Sequence, residues 1–310
     1  MPATIPFTTV GPVSAKLAKA VRKLVAASKR HDGIAPISEQ PLRQLSDRRA
    51  QVAHSFVIHD NRLVGYAQID IAVPGRATAE VAVAPQARGT GIGAGLLRAA
   101  LSVAKENDSK LAVWAYGNMP AARHLLEGAG LSLTRELLRL EVPLIPARPA
   151  LPISAQEQEV LDRIRTFQPG VDDQAWLKTN ALAFQWHPEQ GRLDQVDLDA
   201  RMSEDWFDPE LFFVVDSEVG AAPGESISAY SWLKVLPDAK KGEIYVVGVS
   251  PDAQGQGLGR ALMRHSLQVL QERGLEAADL YVEADNGPAL AMYLTQGFTV
   301  AQRHGQYSQV

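Results

Sequence analysis

No cysteine occurs anywhere in the 310 residues. That excludes disulfide staples, thiolate metal sites and a cysteine nucleophile. The net charge is only −4, so there is no electrostatic case for a nucleic-acid partner. No uninterrupted apolar run reaches the roughly 18 residues that a membrane-spanning helix needs. The first thirty residues lack the apolar core of a signal peptide. A cytoplasmic protein with no membrane partner is the expectation, and nothing in the sequence calls for a metal. The sequence leaves the oligomeric state open; a monomer is compatible with it.

Two familiar phosphate-binding patterns are also missing: there is no nucleotide P-loop ending in Gly-Lys-Ser/Thr, and no Gly-x-Gly-x-x-Gly. What is present is Val247-Gly248-Val249-Ser250-Pro251-Asp252-Ala253-Gln254-Gly255-Gln256-Gly257-Leu258-Gly259-Arg260. It starts as a β-branched run and passes through a Ser-Pro-Asp turn signal. It then enters a glycine-rich loop ahead of leucines at helical spacing. Strand, tight turn and helix start in succession aim backbone N–H groups at one point, at the positive end of a helix dipole. Glycines without Cβ let an anion approach that point, so a phosphate or pyrophosphate is the expected guest.

The same pattern occurs twice. Residues 81–101 align with 247–267 without a gap, and ten of the 21 positions are identical. Together with the length and an apolar fraction of 46%, this reads as two copies of one domain, each with its own core. Four prolines at three-residue spacing, Pro143, Pro146, Pro149 and Pro152, suit neither a helix nor a central strand. They mark a linker, giving domains over 1–147 and 148–310. In each copy the order is helix, hairpin, strand, glycine loop, helix, strand, helix and closing strand. The hairpin of the first copy turns at Asp60-Asn61. Ala155 to Thr166 reads as a helix, and Asp172 to Asp205 has no counterpart in the first copy. A mixed α/β domain, with a central sheet flanked by helices, follows from this order.

The loop resembles the Gln/Arg-x-x-Gly-x-Gly/Ala signature of the GNAT N-acetyltransferases. That resemblance implies two tandem acyl-CoA N-acyltransferase domains, with acetyl-CoA as co-substrate and a pantetheine arm lying where the fourth and fifth strands splay apart. It implies cofactor contacts at Val247, Gly248, Val249, Gln254, Gly255, Gln256, Gly257, Leu258, Gly259 and Arg260, and along Asn286, Gly287, Pro288, Ala289, Leu290 and Ala291. In the first copy the counterparts are Val81, Ala82, Val83, Arg88, Gly89, Thr90, Gly91, Ile92 and Gly93. Little positive charge lines either loop, so backbone N–H groups must do most of the holding.

Acetyl transfer to an amine asks for modest proton handling. An amine of pKa near ~8 is already about a tenth neutral at pH 7. A carboxylate acting through water can therefore serve as base, and Glu243, heading the strand before the loop, is the candidate. Strict alternation places it on one face with Tyr245 and Val247. The segment from Asn286 to Phe298 fits the family pattern Asn-x-x-Ala-x-x-x-Tyr-x-x-x-Gly-Phe, which makes Tyr293 the candidate acid at the sulfur. The first copy has leucines where that tyrosine belongs, and its Glu80 is out of register with Glu243. It is therefore expected to bind acetyl-CoA without turning it over, leaving catalysis to the second copy.

Motifs outside the loops narrow the resemblance. Asp32 to Gln40, His187-Pro188-Glu189-Gln190-Gly191, Trp206-Phe207-Asp208-Pro209, Trp232 to Val235 and Leu280 to Glu283 resemble those of the mycothiol synthases, a family of tandem GNAT enzymes. The resemblance implies acetylation of the cysteinyl amine of Cys-GlcN-Ins, with Glu39, Glu189, Lys234, Glu243 and Tyr281 contacting this small-molecule substrate. Carboxylates accept from its hydroxyls and attract its ammonium, while Lys234 donates. Two alternatives stay open: a tandem GNAT acting on another small-molecule or peptide amine, and a CoA-binding sensor without turnover.

Overall fold

The computed structural model describes residues 6–145, 152–185, 190–218, 220–236 and 240–309. Two compact units emerge. The first takes Met1–Leu138, Glu283–Asp285 and Gln302–Val310; the second takes Arg139–Val282 and Asn286–Ala301.

The first unit runs β1 (Phe7–Val10), α1 (Ala15–Asp32), α2 (Glu39–Gln44), β2 (Val52–His59), β3 (Arg62–Val73), β4 (Arg76–Val83), α3 (Ile92–Glu106), β5 (Lys110–Ala115), α4 (Pro120–Gly128) and the start of β6 (Ser132–Pro143). Its β2–β3 hairpin turns at Asp60 and Asn61, which adopt φ of 49° and 59°. These are residues that tolerate the left-handed region, as a tight hairpin turn requires. Helix α1 starts on Ser14, whose hydroxyl accepts from Leu17 N, and stops at Gly33 with φ 75°.

The second unit runs α5 (Ala155–Leu161), β7 (Ile164–Thr166), α6 (Asp173–Ala183), α7 (Gln195–Met202), β8 (Phe212–Asp216), β9 (Ile227–Val235), β10 (Lys241–Val249), α8 (Leu258–Glu272), β11 (Ala277–Glu283), α9 (Gly287–Thr295) and the start of β12 (Thr299–Ser308). The helix expected over Ala155 to Thr166 ends at Leu161. Beyond it, Ile164 and Thr166 pair with Val215 and Phe213, and Arg165 bridges Asp172 and Asp216 at 2.6 Å each. Strand pairing has overridden a helical pattern there.

The sheet of the first unit has the order β1-β2-β3-β4-β5-β12-β6, and that of the second β6-β11-β10-β9-β8-β7. Both are mixed. Strands β4 and β5 pair in parallel, as do β10 and β11, and their neighbours pair antiparallel. The units therefore differ from a single cut after residue 147. The end of β12 belongs to the first unit, where Gly305 to Ser308 pair with Ala115 to Ala112. There Tyr307 joins the core and donates its hydroxyl to Asn118 at 2.8 Å. Pro143, the first of the four linker prolines, is the last residue of β6; residues 146–151 lie outside the described ones.

Helix α3 covers one face of the first sheet and α8 one face of the second. Leu258, Ala261, Leu262, Leu267 and Leu270 of α8 are buried, at the spacing of one helical stripe. No described helix is long and apolar enough to cross a membrane. Among the described residues no group of three or more His, Asp or Glu could hold a metal ion.

Candidate active site

Each glycine loop forms the structure its sequence suggested. After β10 a short 3-10 turn, Pro251–Ala253, leads through Gly255 and Gly257, with φ of 77° and 82°, into α8. After β4 the turn Pro85–Ala87 leads through Gly89 and Gly91, with φ of 75° and 86°, into α3. Any other L-residue would be strained at these angles. A Cβ on any of the four would meet nothing within 4 Å, so the loop backbone stands open to a ligand. Neither α8 nor α3 has a side-chain cap at its N-terminus. An uncapped helix start behind an open, left-handed turn is the geometry that receives a phosphate.

Beside each loop the sheet opens. The parallel pairing of β10 with β11 runs from Lys241 and Ala277 only to Ile244 and Leu280. Strand β10 continues to Val249, still paired with β9 on its other side. The pairing of β4 with β5 likewise stops at Glu80 and Trp114, although β4 continues to Val83. The edge from Tyr245 to Val249 thus offers backbone groups to an extended arm, as the expected splay requires.

Glu243 stands where this opening begins. It lies opposite Lys234 in the β9–β10 ladder, and beside Asp279 in the β10–β11 ladder. One expectation is corrected here. A bulge between Ile244 and Val246 inserts Tyr245 as an extra residue. Tyr245 stays on the face of Glu243, with its ring 5.6 Å from that of Trp232. Val246, opposite Trp232, joins the same face. Val247 is turned to the other face; it lies opposite Ser231, whose hydroxyl bonds Ser266 of α8 at 2.8 Å. A bulge reverses the alternation that the simple period of two assumes.

The face of Glu243 carries more chemistry than sequence reasoning found. The Lys234 ammonium lies 5.1 Å from the Trp206 ring centroid and 5.8 Å from that of Tyr245. Arg139, arriving on β6, donates to Asp279 at 2.9 and 2.5 Å and to Glu141 at 3.1 Å. Tyr281, two residues beyond Asp279 and on its face, is 47% exposed. Asp279 and Arg139 had no signal in the sequence, because they meet only when β6 and β11 come together. Glu39 occupies the exposed first turn of α2 in the first unit, 3.5 Å from Arg43. Glu189 lies outside the described residues.

Tyr293 is on α9. Asn286 caps this helix by accepting from Ala289 N at 3.3 Å, and Pro288 sits in its first turn. The motif's Asn and Pro are therefore also what starts the helix. Tyr293 is 6% exposed and stacks edge-on against Phe298 at 5.9 Å. Its hydroxyl makes no hydrogen bond among the described residues. Burial pushes its pKa above the usual phenol range, so it holds its proton at neutral pH. Its neighbour Met292 approaches Gly259 of the loop, where a Cβ would stand 3.9 Å from the sulfur.

The first unit has the same frame with different groups. Leu125 approaches Gly93 as Met292 approaches Gly259, so buried Leu126 stands at the place of Tyr293. The ladder position of Glu243 is taken by Thr78, opposite Asp70, and β4 runs there without a bulge. Glu80 is buried and saturated. It accepts from Ser38 N at 2.6 Å, from the Ser38 hydroxyl at 2.7 Å and from the Tyr116 hydroxyl at 2.8 Å. Arg88 donates through two nitrogens to Asp32 at 2.9 and 2.6 Å, and through Nε to Val83 O at 3.2 Å. Its hydrogen bonds hold the Asp32 carboxyl down to about 2. The one cation of this loop is already committed within the protein.

Known proteins share this arrangement. The sequence profile of the acetyltransferase (GNAT) family matches residues 20–130 and 176–298, once in each half. A mycothiol acetyltransferase of Sanguibacter keddieii is 43% identical over 297 residues, covering 94% of this chain and 92% of its own. One from Streptomyces bingchenggensis is 44% identical over 299 residues, covering 95% and 94%. Among solved structures, a GCN5-related N-acetyltransferase from Sphaerobacter thermophilus superposes with a TM-score of 0.69 at 22% identity, over 98% of this chain and 96% of its own. A tandem GNAT protein from the clavulanic acid biosynthesis pathway does so with a TM-score of 0.67 at 16% identity, over 97% and 98%. At such identities these two speak to the fold alone. The chain belongs to the GNAT family, and within it to the mycothiol acetyltransferases: it is an acetyl-CoA-dependent N-acetyltransferase with two tandem domains.

Proposed function

We infer that the second unit transfers acetyl from acetyl-CoA to the cysteinyl amine of Cys-GlcN-Ins, giving mycothiol and CoA. The observation that carries this reading is the 41–44% identity to mycothiol acetyltransferases along nearly the whole chain. The open glycine loop, the splayed β10–β11 pair and the charged face around Glu243 support it. The acceptor is a small molecule, and a cytoplasmic site of action suits it.

When bound, acetyl-CoA supplies the acyl group and a thiol leaving group. The loop from Gln254 to Arg260 and the edge from Val247 to Val249 hold it through backbone N–H groups. Glu243 takes the proton of the acceptor amine, directly or through water. Supplying the neutral amine is worth only about 1 kcal/mol near pH 7, so positioning and oxyanion stabilisation carry more of the barrier. Tyr293 donates a hydrogen bond toward the departing sulfur. Full proton transfer would run uphill, because an ordinary thiol has a pKa near ~8.5 and burial raises that of the phenol. Lys234 and Tyr281 bind the hydroxyl-rich acceptor, with Glu39 and Glu189 as further candidates from the family resemblance. The first unit holds acetyl-CoA without turnover, since Leu126 offers no proton and Glu80 is saturated.

The test is direct. Protein, acetyl-CoA and Cys-GlcN-Ins are mixed, free CoA is followed, and the product is identified by mass, with cysteine and glucosamine as control acceptors. Rapid turnover on the conjugate and little on either half is the expected result. Equal turnover on cysteine would replace the acceptor assignment, and binding of acetyl-CoA without turnover would leave a sensor.

A further inference from the structure

The segment Trp206-Phe207-Asp208-Pro209 has no part in the mechanism above, yet it is firmly built. Phe207 N donates to Glu204 O at 2.9 Å, Asp208 accepts from Glu210 N at 3.0 Å, and Arg273 pairs with Asp208 at 2.8 Å. The result is a fixed place for Trp206, which is 6% exposed. Its ring lies 5.0 Å from that of Tyr245 and 5.7 Å from that of Trp232. Over this aromatic corner sits the ammonium of Lys234, itself only 5% exposed, opposite Glu243 in the ladder. A buried ammonium loses hydration, and the negative faces of two rings return part of that loss. A lysine also has a long, flexible stem, and fixing it in advance removes an ordering cost from binding.

The first unit shows that the fold does not need this corner. There Asp70 stands at the ladder position of Lys234 and Gln68 at that of Trp232, and no bulge residue matches Tyr245. The unit folds around those polar groups, with Gln68 donating to Gln44 at 2.6 Å and Gln44 to Asp70 at 3.2 Å.

We propose that Trp206 and Tyr245 are positioning residues: they clamp the Lys234 ammonium beside Glu243 and thereby set the affinity for the acceptor. The bulge in β10 then has a purpose, because it places the second ring of the clamp. This rests on the reading of Lys234 as an acceptor contact.

The experiment measures KM for Cys-GlcN-Ins, KM for acetyl-CoA and kcat in the full-length protein. Trp206→Leu should raise the acceptor KM about 10-fold, and Trp206→Phe, which keeps a weaker ring face, about 3-fold. KM for acetyl-CoA and kcat at saturating acceptor should hardly move, a split that a general loss of packing would not give. Lys234→Met should raise the acceptor KM at least as much as Trp206→Leu, and adding Trp206→Leu to it should then change nothing further. If the two effects multiply in the double variant, or if both Trp206 variants keep the normal acceptor KM while Lys234→Met raises it, the clamp is wrong and Lys234 keeps its role. If Lys234→Met itself leaves the acceptor KM unchanged, the assignment of Lys234 fails, and the clamp with it. Should Trp206→Leu not fold, Trp206→Phe and its combination with Lys234→Met carry the same test.

Discussion

The two units place different chemistry on the same ladder positions. On one face of the second sheet Phe212 stacks on Trp232 at 4.5 Å, with Tyr230 beside them. The matching positions in the first are His54, Gln68 and Tyr66, joined by hydrogen bonds of 2.8 and 2.9 Å. One face is an aromatic floor beneath Lys234 and Glu243; the other is a polar chain linked by hydrogen bonds, with Nε2 of His54 left buried and unpartnered. A carboxylate is present in both, but Glu80 is consumed by three donors while Glu243 stands at the opening of the sheet. On the proposed reading, keeping the glycine loop is not enough to keep a catalyst. The candidate catalytic groups lie on neighbouring elements, and those differ between the units while the loop stays.

The sharpest break of this comparison is Tyr293→Phe. It should lower kcat about 100-fold with acetyl-CoA binding intact, measured by steady-state kinetics and calorimetry. An unchanged kcat would remove the main difference between the units.

Next come the loop glycines. Gly257→Ala forces a Cβ onto a φ of 82° and should raise the acetyl-CoA KM about 10-fold. The matching Gly91→Ala, at φ 86°, should weaken binding in the first unit and leave kcat alone. Loss of turnover with Gly91→Ala in a folded protein would show that the active unit has been misassigned. Glu243→Gln should cost about 10-fold at pH 7 through base loss, regained as pH rises and the amine becomes neutral; any remaining rise in acceptor KM reports its binding role. Arg88→Gln should change acetyl-CoA affinity of the first unit less than about 2-fold, because its side chain is held by Asp32 and Val83 rather than left for phosphate.

The polar chain also makes the first unit sensitive to acid. Burial lowers the pKa of His54 from 6.5 to about 4. The unfolded chain therefore binds this proton first. The stability contributed by neutral His54 is complete above about pH 6.5 and is lost as pH falls toward 4. Thermal melts at pH 7.5 and 5 should show a first transition that drops with acid, and His54→Gln should flatten that drop. The second unit has Phe212 at that place; burial also lowers the pKa of its His265, so the His54→Gln comparison, not the drop alone, assigns the effect to the first unit.

Much of this was readable in the sequence, and for physical reasons. The loops were legible because a φ near 80° strongly favours glycine, and Gly255, Gly257, Gly89 and Gly91 all adopt such angles. The duplication was legible because the same strand, turn and helix were written twice. The absence of the motif tyrosine from the first copy was a plain difference in residue type. The acid sensitivity of His54 was not legible, since His54 lies on β2 and its burial depends on what packs against that strand.

By itself, then, the sequence determined two α/β copies, two open glycine turns and a single motif tyrosine between them. These are local patterns, set by backbone angles and side-chain periodicity within a few residues. Tertiary structure decided the rest. It sent the end of β12 into the first unit, turned Val247 away by inserting Tyr245, tied Arg88 to Asp32 across 56 residues of chain, and stood Lys234 over Trp206. Each of these depends on which distant partner closes the pairing, and local propensity is silent about partners.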